Sequence, residues 1–136
     1  MNPILTSYLV NRYSGMYKEF SKGITPKVPF YPMAFGFECG DGWYKLIDKL
    51  SAKIYKYINR VQQENFYVIQ VKEKFGTLRF YTSWEDKLIS KYIQDAEKES
   101  AKTCETCGAK GKLYAKGWYV TSCPRHYKEW KIGLDS

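Results

Sequence analysis

The chain has 136 residues, 44% of them hydrophobic and 26% charged, so it is long enough for one folded domain and too short for two large ones. It contains no apolar run near the roughly 18 residues of a membrane span, and its start lacks the features of a secretion signal; we therefore expect a cytosolic protein. The net charge is +8, and 18% of the residues are aromatic. This combination predicts an anionic, base-containing partner, although the core also needs many of those aromatics.

The first predicted element is an amphipathic helix over residues 4 to 20. Its apolar residues recur at spacings of three and four, which is typical of a helix with one buried face. They are Ile4, Leu5, Tyr8, Leu9, Tyr13, Met16, Tyr17 and Phe20. The prolines that follow predict an extended connector. They are Pro26, Pro29 and Pro32.

A second helix is predicted to run from its N-cap, Asp41, to about Val61, with one apolar arc buried. The opposite arc carries five cations and no acidic residue. They are Lys45, Lys49, Lys53, Lys56 and Arg60. Because like charges at this spacing destabilise a helix slightly, the stripe is the first candidate for a phosphate-facing surface. A solvated lysine face is the alternative.

Residues 66 to 73 and 77 to 81 are predicted to form a β-hairpin with its turn near Phe75 and Gly76. Cations cluster about its tip, where glycine lets backbone amides approach an anion. They are Lys72, Lys74 and Arg79. An ordinary basic turn is the alternative.

A third helix is predicted to start at a capping box made by Thr82 and Glu85. It turns apolar residues inward, namely Leu88, Ile89, Tyr92, Ile93 and Ala96. Its outer face carries mixed charge, so we do not expect that face to contact phosphate.

The strongest motif is a C-x-x-C pair, Cys104 and Cys107, followed after 15 intervening residues by the C-x-x-H pair Cys123 and His126. This spacing predicts one zinc ion held by four protein ligands, which leaves no open position and makes the ion structural. The first pair predicts a tight turn, the intervening segment a short hairpin with its turn near Lys116 and Gly117, and the second pair the start of a helix. That order resembles a treble-clef zinc finger.

Other uses of these cysteines fit less well. A disulfide is disfavoured in the cytosol, and a redox C-x-x-C would open a helix behind a strand. His126 is the only histidine, whereas treble-clef nucleases need further histidines for their chemistry. Cys39 lies outside the metal set, and a buried small side chain is favoured there over a catalytic thiol.

Three runs together resemble a family of small proteins encoded by tailed phages and prophages. They are residues 37–43 (FECGDGW), residues 71–81 (VKEKFGTLRFY), and Thr103–Gly108 with Gly117-Trp118 and Cys123-x-x-His126. The family carries no activity to transfer, so the resemblance implies a setting in the host bacterial cytosol and not a mechanism. That setting favours a role in host takeover.

The predicted fold is α+β: a core of three helices and a hairpin over residues 1–102, with a zinc-binding module over residues 103–136 packed on it in a single compact unit. The predicted function is non-catalytic binding of a phosphate-bearing ligand. Within it, capture of a nucleotide signal or masking of a host defence protein is favoured over DNA or RNA binding, because no recognition helix or sheet of stacking aromatics is legible. A nucleotide-processing enzyme with Glu38 and Asp41 at a second metal is a further alternative.

Overall fold

The described part of the chain is α+β, the class predicted from the sequence. The computed structural model describes residues 1–21, 33 and 36–135. A three-stranded sheet in the order β1-β2-β3 is joined by a separate two-stranded sheet near the C-terminus. The predicted connector prolines, Pro26, Pro29 and Pro32, lie outside the described residues.

The first helix is shorter than predicted. Helix α1 runs Pro3–Arg12, and a turn and a 3-10 helix, Lys18–Ser21, follow it. Tyr13 has left helical geometry, with φ −123° and ψ 49°. The prediction of a single helix over residues 4 to 20 is wrong. Tyr13 and Met16 are buried, but they lie in the turn after α1 and not on a continuing helix.

Helix α2 runs Tyr44–Arg60 and buries the apolar arc predicted from the sequence. Its buried apolar residues are Leu46, Ile47, Leu50, Ile54 and Ile58. Asp41 is not its N-cap: Asp41 opens a 3-10 turn, Asp41–Trp43. Its carboxylate accepts hydrogen bonds from the backbone N–H and the side-chain amide of Asn2, at 2.7 and 3.0 Å. Asp41 therefore ties Asn2 to the approach to α2, and the helix begins two residues later than an N-cap at Asp41 would place it.

Strands β2 (Val68–Lys74) and β3 (Thr77–Thr82) form the predicted antiparallel hairpin. Both turn residues, Phe75 and Gly76, have positive φ, 54° and 83°, which is the geometry of a tight two-residue hairpin turn. Strand β1, Phe37–Glu38, pairs parallel to β2 and was not expected. Two residues are too few to show the alternation by which a strand is recognised.

Helix α3 runs Lys87–Ser100 and also starts later than predicted. Thr82 takes no part in its cap, because Thr82 ends β3 in register with Val68. The N-cap is Asp86, whose carboxylate accepts a hydrogen bond from the backbone N–H of Ile89 at 3.0 Å. The helix packs against α2 and β3.

The C-terminal part has the predicted order of knuckle, hairpin and helix. Strands β4 (Lys112–Tyr114) and β5 (Val120–Ser122) pair antiparallel, and α4, Pro124–Asp135, follows. The main apolar core is built from residues up to Ala96. The C-terminal hairpin and α4 therefore lie on this core and contribute no residue to it.

Candidate metal centre

The first two candidate ligands, Cys104 and Cys107, lie in a tight loop after α3. The backbone N–H of Gly108 donates to the carbonyl of Cys104 at 2.8 Å, and the N–H of Cys104 donates to the carbonyl of Ala109 at 2.8 Å. Gly108 has a φ of 81°, a left-handed conformation that glycine adopts without steric cost. The C-x-x-C-G pattern therefore closes a knuckle with both thiols in it.

The other two candidate ligands, Cys123 and His126, lie at the start of α4. Pro124 is the first helical residue, and the N–H of Tyr127 donates to the carbonyl of Cys123 at 2.9 Å. Residues three apart in a helical turn share a face. The C-x-x-H spacing therefore brings the two side chains to one point, as predicted.

The four side chains converge. Nδ1 of His126 lies 3.3 Å from Sγ of Cys123 and 3.7 Å from Sγ of Cys104, and the sulfurs of Cys107 and Cys123 are 3.9 Å apart. All four ligand atoms lie within 4.8 Å of one another. Tetrahedral ligands at zinc-like bond lengths are separated by roughly 3.3–3.8 Å. The group can hold one metal ion, and it is the only such cluster among the described residues.

The surroundings favour metal binding at two of the ligands. Burial raises the pKa of the Cys104 thiol, but backbone N–H groups, those of Cys123 and Cys107 first, outweigh it and lower this pKa to about 6. Nε2 of His126 lies 4.0 Å from a carboxylate oxygen of Glu129. A carboxylate beside the second ring nitrogen orients a metal-binding histidine.

The knuckle docks on the loop that precedes α2. The backbone N–H of Gly42 donates to the carbonyl of Glu105, and the N–H of Gly40 donates to the carboxylate of Glu105, both at 2.8 Å. A Cβ on Gly42 would lie 2.1 Å from the carbonyl oxygen of Cys104, and one on Gly40 would lie 2.3 Å from that of Glu105. Neither glycine can carry a side chain without moving the knuckle.

The turn of the β2–β3 hairpin docks on the β4–β5 hairpin. The hydroxyl of Thr121 donates to the carbonyl of Gly76 at 2.6 Å, and a Cβ on Gly76 would lie 2.4 Å from the side chain of Leu113. The ring of Tyr114 stacks on that of Tyr127, with centroids 3.6 Å apart. The hairpin is therefore held between the core and α4.

Two glycine-bearing segments contact the region that holds the candidate metal ligands. The loop 40–42 contacts the knuckle, and the turn 75–76 contacts the β4–β5 hairpin. Neither Gly40 nor Gly42 has a positive φ. Sequence reasoning missed their contacts, because a glycine required for close backbone approach looks the same as one required for a turn.

The basic stripe of α2 is not uniform. All five cations are exposed, but Nζ of Lys49 pairs with a carboxylate oxygen of Glu99 on α3 at 2.8 Å, and Nζ of Lys53 lies 5.6 Å from the ring centroid of Tyr92. Apart from Lys49, none of the five contacts a carboxylate within the described part of the chain. The guanidinium of Arg60 also lies near a ring, 5.5 Å from the centroid of Tyr57 on its own helix. Within the described residues, Lys45, Lys56 and Arg60 make neither kind of contact with α3.

The candidate cations of the hairpin lie together on β2 and β3. Lys72 and Arg79 are cross-strand neighbours, and the guanidinium of Arg79 donates to the hydroxyl of Thr77 at 2.6 Å. Nζ of Lys74 lies 5.6 Å from the ring centroid of Phe75. Lys74 is therefore the cation nearest the turn.

The remaining candidates do not form a second site. Cys39 is buried, which raises the pKa of its thiol to about 12, so the thiol is neutral at physiological pH. The carboxylate of Glu38 accepts a hydrogen bond from the side-chain amide of Gln70 at 3.2 Å, whereas that of Asp41 binds Asn2. The two carboxylates have separate partners.

Sequence reasoning missed an aromatic surface where the two hairpin tips meet. A cavity of about 670 Å³ there is lined by Glu73, Lys74, Phe75, Gly117, Trp118 and Tyr119. We name this set the tip surface. The residues come from turns 43 positions apart, so no local pattern joins them. The sequence features that could have indicated this surface are a phenylalanine in a tight turn and an aromatic pair in a loop.

Comparisons of the chain with protein-family models, with curated proteins and with solved structures return no match. Among the helices described, none has the length and apolar character that a bilayer span requires.

Proposed function

We propose that this chain is a non-catalytic, zinc-stabilised protein that binds a phosphate-bearing ligand on its basic surface. The observation that carries the proposal is the outer face of α2, where exposed cations contact no carboxylate in the described part of the chain. These cations are Lys45, Lys56 and Arg60. Uncompensated cations on one helix attract phosphate groups and steer their approach.

Zinc is the proposed metal because of the donor set. Three thiolates and one imidazole suit zinc better than magnesium or calcium, which prefer oxygen ligands. Four protein ligands leave no position for water, so the ion would act as a staple. When bound, it would hold the C-terminal hairpin and α4 in place beside the core.

A non-catalytic role is supported by the environments of His126 and Cys39, the two side chains weighed as catalytic groups. The one histidine, His126, lies in the ligand set, and a ligating imidazole cannot also serve as a general base. The thiol of Cys39 is buried and neutral. Neither His126 nor Cys39 is therefore available as a nucleophile or proton carrier.

The finer roles stay predictions. Capture of a nucleotide signal or masking of a host defence protein rests on the resemblance to phage proteins. Binding of DNA or RNA is the alternative. Capture of a nucleotide and binding of DNA or RNA both predict an anionic ligand, and they differ in the size of that ligand and in the response of the affinity to salt. Masking of a host protein predicts binding of neither.

The test is a binding screen with a variant of the α2 face. The zinc-loaded chain is titrated with oligonucleotides, cyclic dinucleotides and ADP-ribose at low and moderate salt. At least one of these ligands should bind and raise Tm. The combined variant Lys45→Gln, Lys56→Gln and Arg60→Gln should bind more weakly, and for a single-stranded oligonucleotide the slope of log affinity against log salt should fall by about 2.

The matched control removes the same charge elsewhere, with Lys87→Gln, Lys98→Gln and Lys131→Gln. These cations are also exposed, so this variant should keep most of the affinity. Equal losses in both variants would mean that net charge alone acts. Absence of binding to every anionic ligand would overturn the proposal and favour an uncharged or protein partner.

A further inference from the structure

The tip surface exposes aromatic rings that the fold does not need in its core. Trp118 is 73% exposed, Phe75 62% and Tyr119 41%. The rings of Phe75 and Tyr119 are in edge-to-face contact, with centroids 6.0 Å apart. Adjacent exposed aromatics around a cavity mark a binding surface more often than scattered ones do.

The backbone of Phe75 gives an independent sign of function. Phe75 has a φ of 54°, a left-handed conformation that is uncommon for a bulky residue. Asn or Gly satisfies this position of a tight hairpin turn at lower cost. Its ring gains little burial in return. Backbone strain at a residue whose ring stays exposed points to a role for that ring in binding.

The charge around the rings is positive. Residues 106 to 128 contain no Asp or Glu, and they contain five cations, namely Lys110, Lys112, Lys116, Arg125 and Lys128. Lys74 lines the cavity from the other hairpin. The one acidic lining residue, Glu73, uses its carboxylate to accept a hydrogen bond from the backbone N–H of Gly76 at 2.6 Å. One of these cations, Arg125, pairs with Glu129. The surface therefore combines stacking faces with a local excess of positive charge.

The two halves of this surface are held in place before any ligand arrives. The hydrogen bond from Thr121 to Gly76 joins the two hairpins at the residue that follows Phe75, and the side chain of Leu113 lies against Gly76. A preorganised surface loses less conformational entropy on binding.

We propose that the tip surface binds single-stranded nucleic acid, with bases stacked on Phe75, Trp118 and Tyr119 and phosphates contacted by Lys74 and Lys116. This inference rests on the proposed function and names its ligand class. Flat aromatic faces match unpaired bases, whose faces a duplex hides, and the cations match the backbone. An acidic peptide would match the cations and leave the rings without flat partners.

The test uses the zinc-loaded chain and a labelled single-stranded oligonucleotide of roughly 10 nucleotides, a length within the usual site sizes. Trp118→Ala and Phe75→Asn should each weaken binding roughly 5- to 150-fold, the range for loss of one base stack. Trp118→Phe keeps a flat face and should restore most of the affinity. Tyr8→Ala removes an aromatic of similar exposure (56%) on α1 and should leave the affinity unchanged.

A loss of affinity in the Trp118→Ala and Phe75→Asn variants should not result from unfolding. Trp118 is exposed, and Asn suits the backbone of residue 75, so both variants should keep the wild-type Tm. In the wild-type chain the oligonucleotide should also quench tryptophan fluorescence, and Trp118→Phe should remove most of that quenching.

The outcomes separate this inference from the proposed function. Binding that the α2 variant weakens but the tip variants do not would overturn this inference and keep the proposed function. Equal affinity for single- and double-stranded oligonucleotides, or binding of mononucleotides that the oligonucleotide does not displace, would also overturn it. No binding of any anionic ligand would overturn both.

Discussion

Single glycines decide how the metal module meets the core. Gly42 sits so close to the knuckle that an added Cβ would lie 2.1 Å from the carbonyl oxygen of Cys104, and backbone cannot move aside as a flexible side chain can. Its N–H also donates to Glu105. A methyl group there therefore forces the loop and the knuckle apart.

We predict that Gly42→Ala lowers the free energy of unfolding by about 3 kcal/mol, the upper end of the cost of overpacking. Chemical denaturation measures this, and zinc content after dialysis should fall in parallel. Gly15→Ala is the matched control, because nothing lies within 4 Å of its added Cβ; it should change stability little. Similar stability of the two variants would contradict the docking described for Gly42.

Helix α3 shows how a cap couples two elements. Asp86 accepts a hydrogen bond from the backbone N–H of Ile89 and another from the hydroxyl of Tyr57 on α2. The backbone bond first, and the hydroxyl second, lower the pKa of Asp86 below its ordinary value of 3.8. The carboxylate thus stabilises the start of α3 in its ionised form.

A group with a lowered pKa in the folded state stabilises the fold above its unfolded pKa, and this contribution is lost as pH falls through the folded pKa. We predict that Asp86→Ala lowers Tm by several degrees at neutral pH and that the difference shrinks below about pH 4. Asp86→Asn, which keeps a capping oxygen, should lose less. Thermal melts across pH measure both, and a constant difference down to pH 2 would contradict the role of the charge.

Between elements, the charges on α2 and α3 compensate where the helices touch. The Lys49–Glu99 pair joins them across the surface, at the end of α3 that leads into the knuckle. Spacing along α2 predicted the line of cations correctly, but it carried no information about α3. Part of the stripe is therefore structural, and its uncompensated cations carry the proposed binding.

The described part of the molecule is a core on which a C-terminal module rests, and this module carries the candidate metal ligands. The main apolar cluster ends at Ala96, whereas the hairpin β4–β5 is held by the contact of Gly76 with Leu113, the hydrogen bond from Thr121 to Gly76 and the stack of Tyr114 on Tyr127. Such a small segment buries too little apolar surface to hold its shape alone. The ion would supply the missing stability.

We predict that a strong chelator unfolds the module and leaves the core folded. Far-UV circular dichroism should keep most of its helical signal, while hydrogen exchange should rise over residues 103–135 and oligonucleotide binding should be lost. Added zinc should restore both the protection from hydrogen exchange and the oligonucleotide binding. Loss of all secondary structure on chelation would show instead that the core depends on the metal.

The sequence by itself determined the α+β class, the hairpin β2–β3, the buried arc of α2 and the four side chains that converge in the candidate metal centre. Each follows from short-range spacing, since helical periodicity, turn residues and C-x-x-C or C-x-x-H pairs act between near neighbours. The tertiary structure alone decided that the Gly40–Gly42 loop carries the knuckle, that Glu99 takes Lys49 out of the basic stripe, and that Phe75 lies beside Trp118 and Tyr119. Those are contacts between residues tens of positions apart, and only the packed chain brings them within reach of one another.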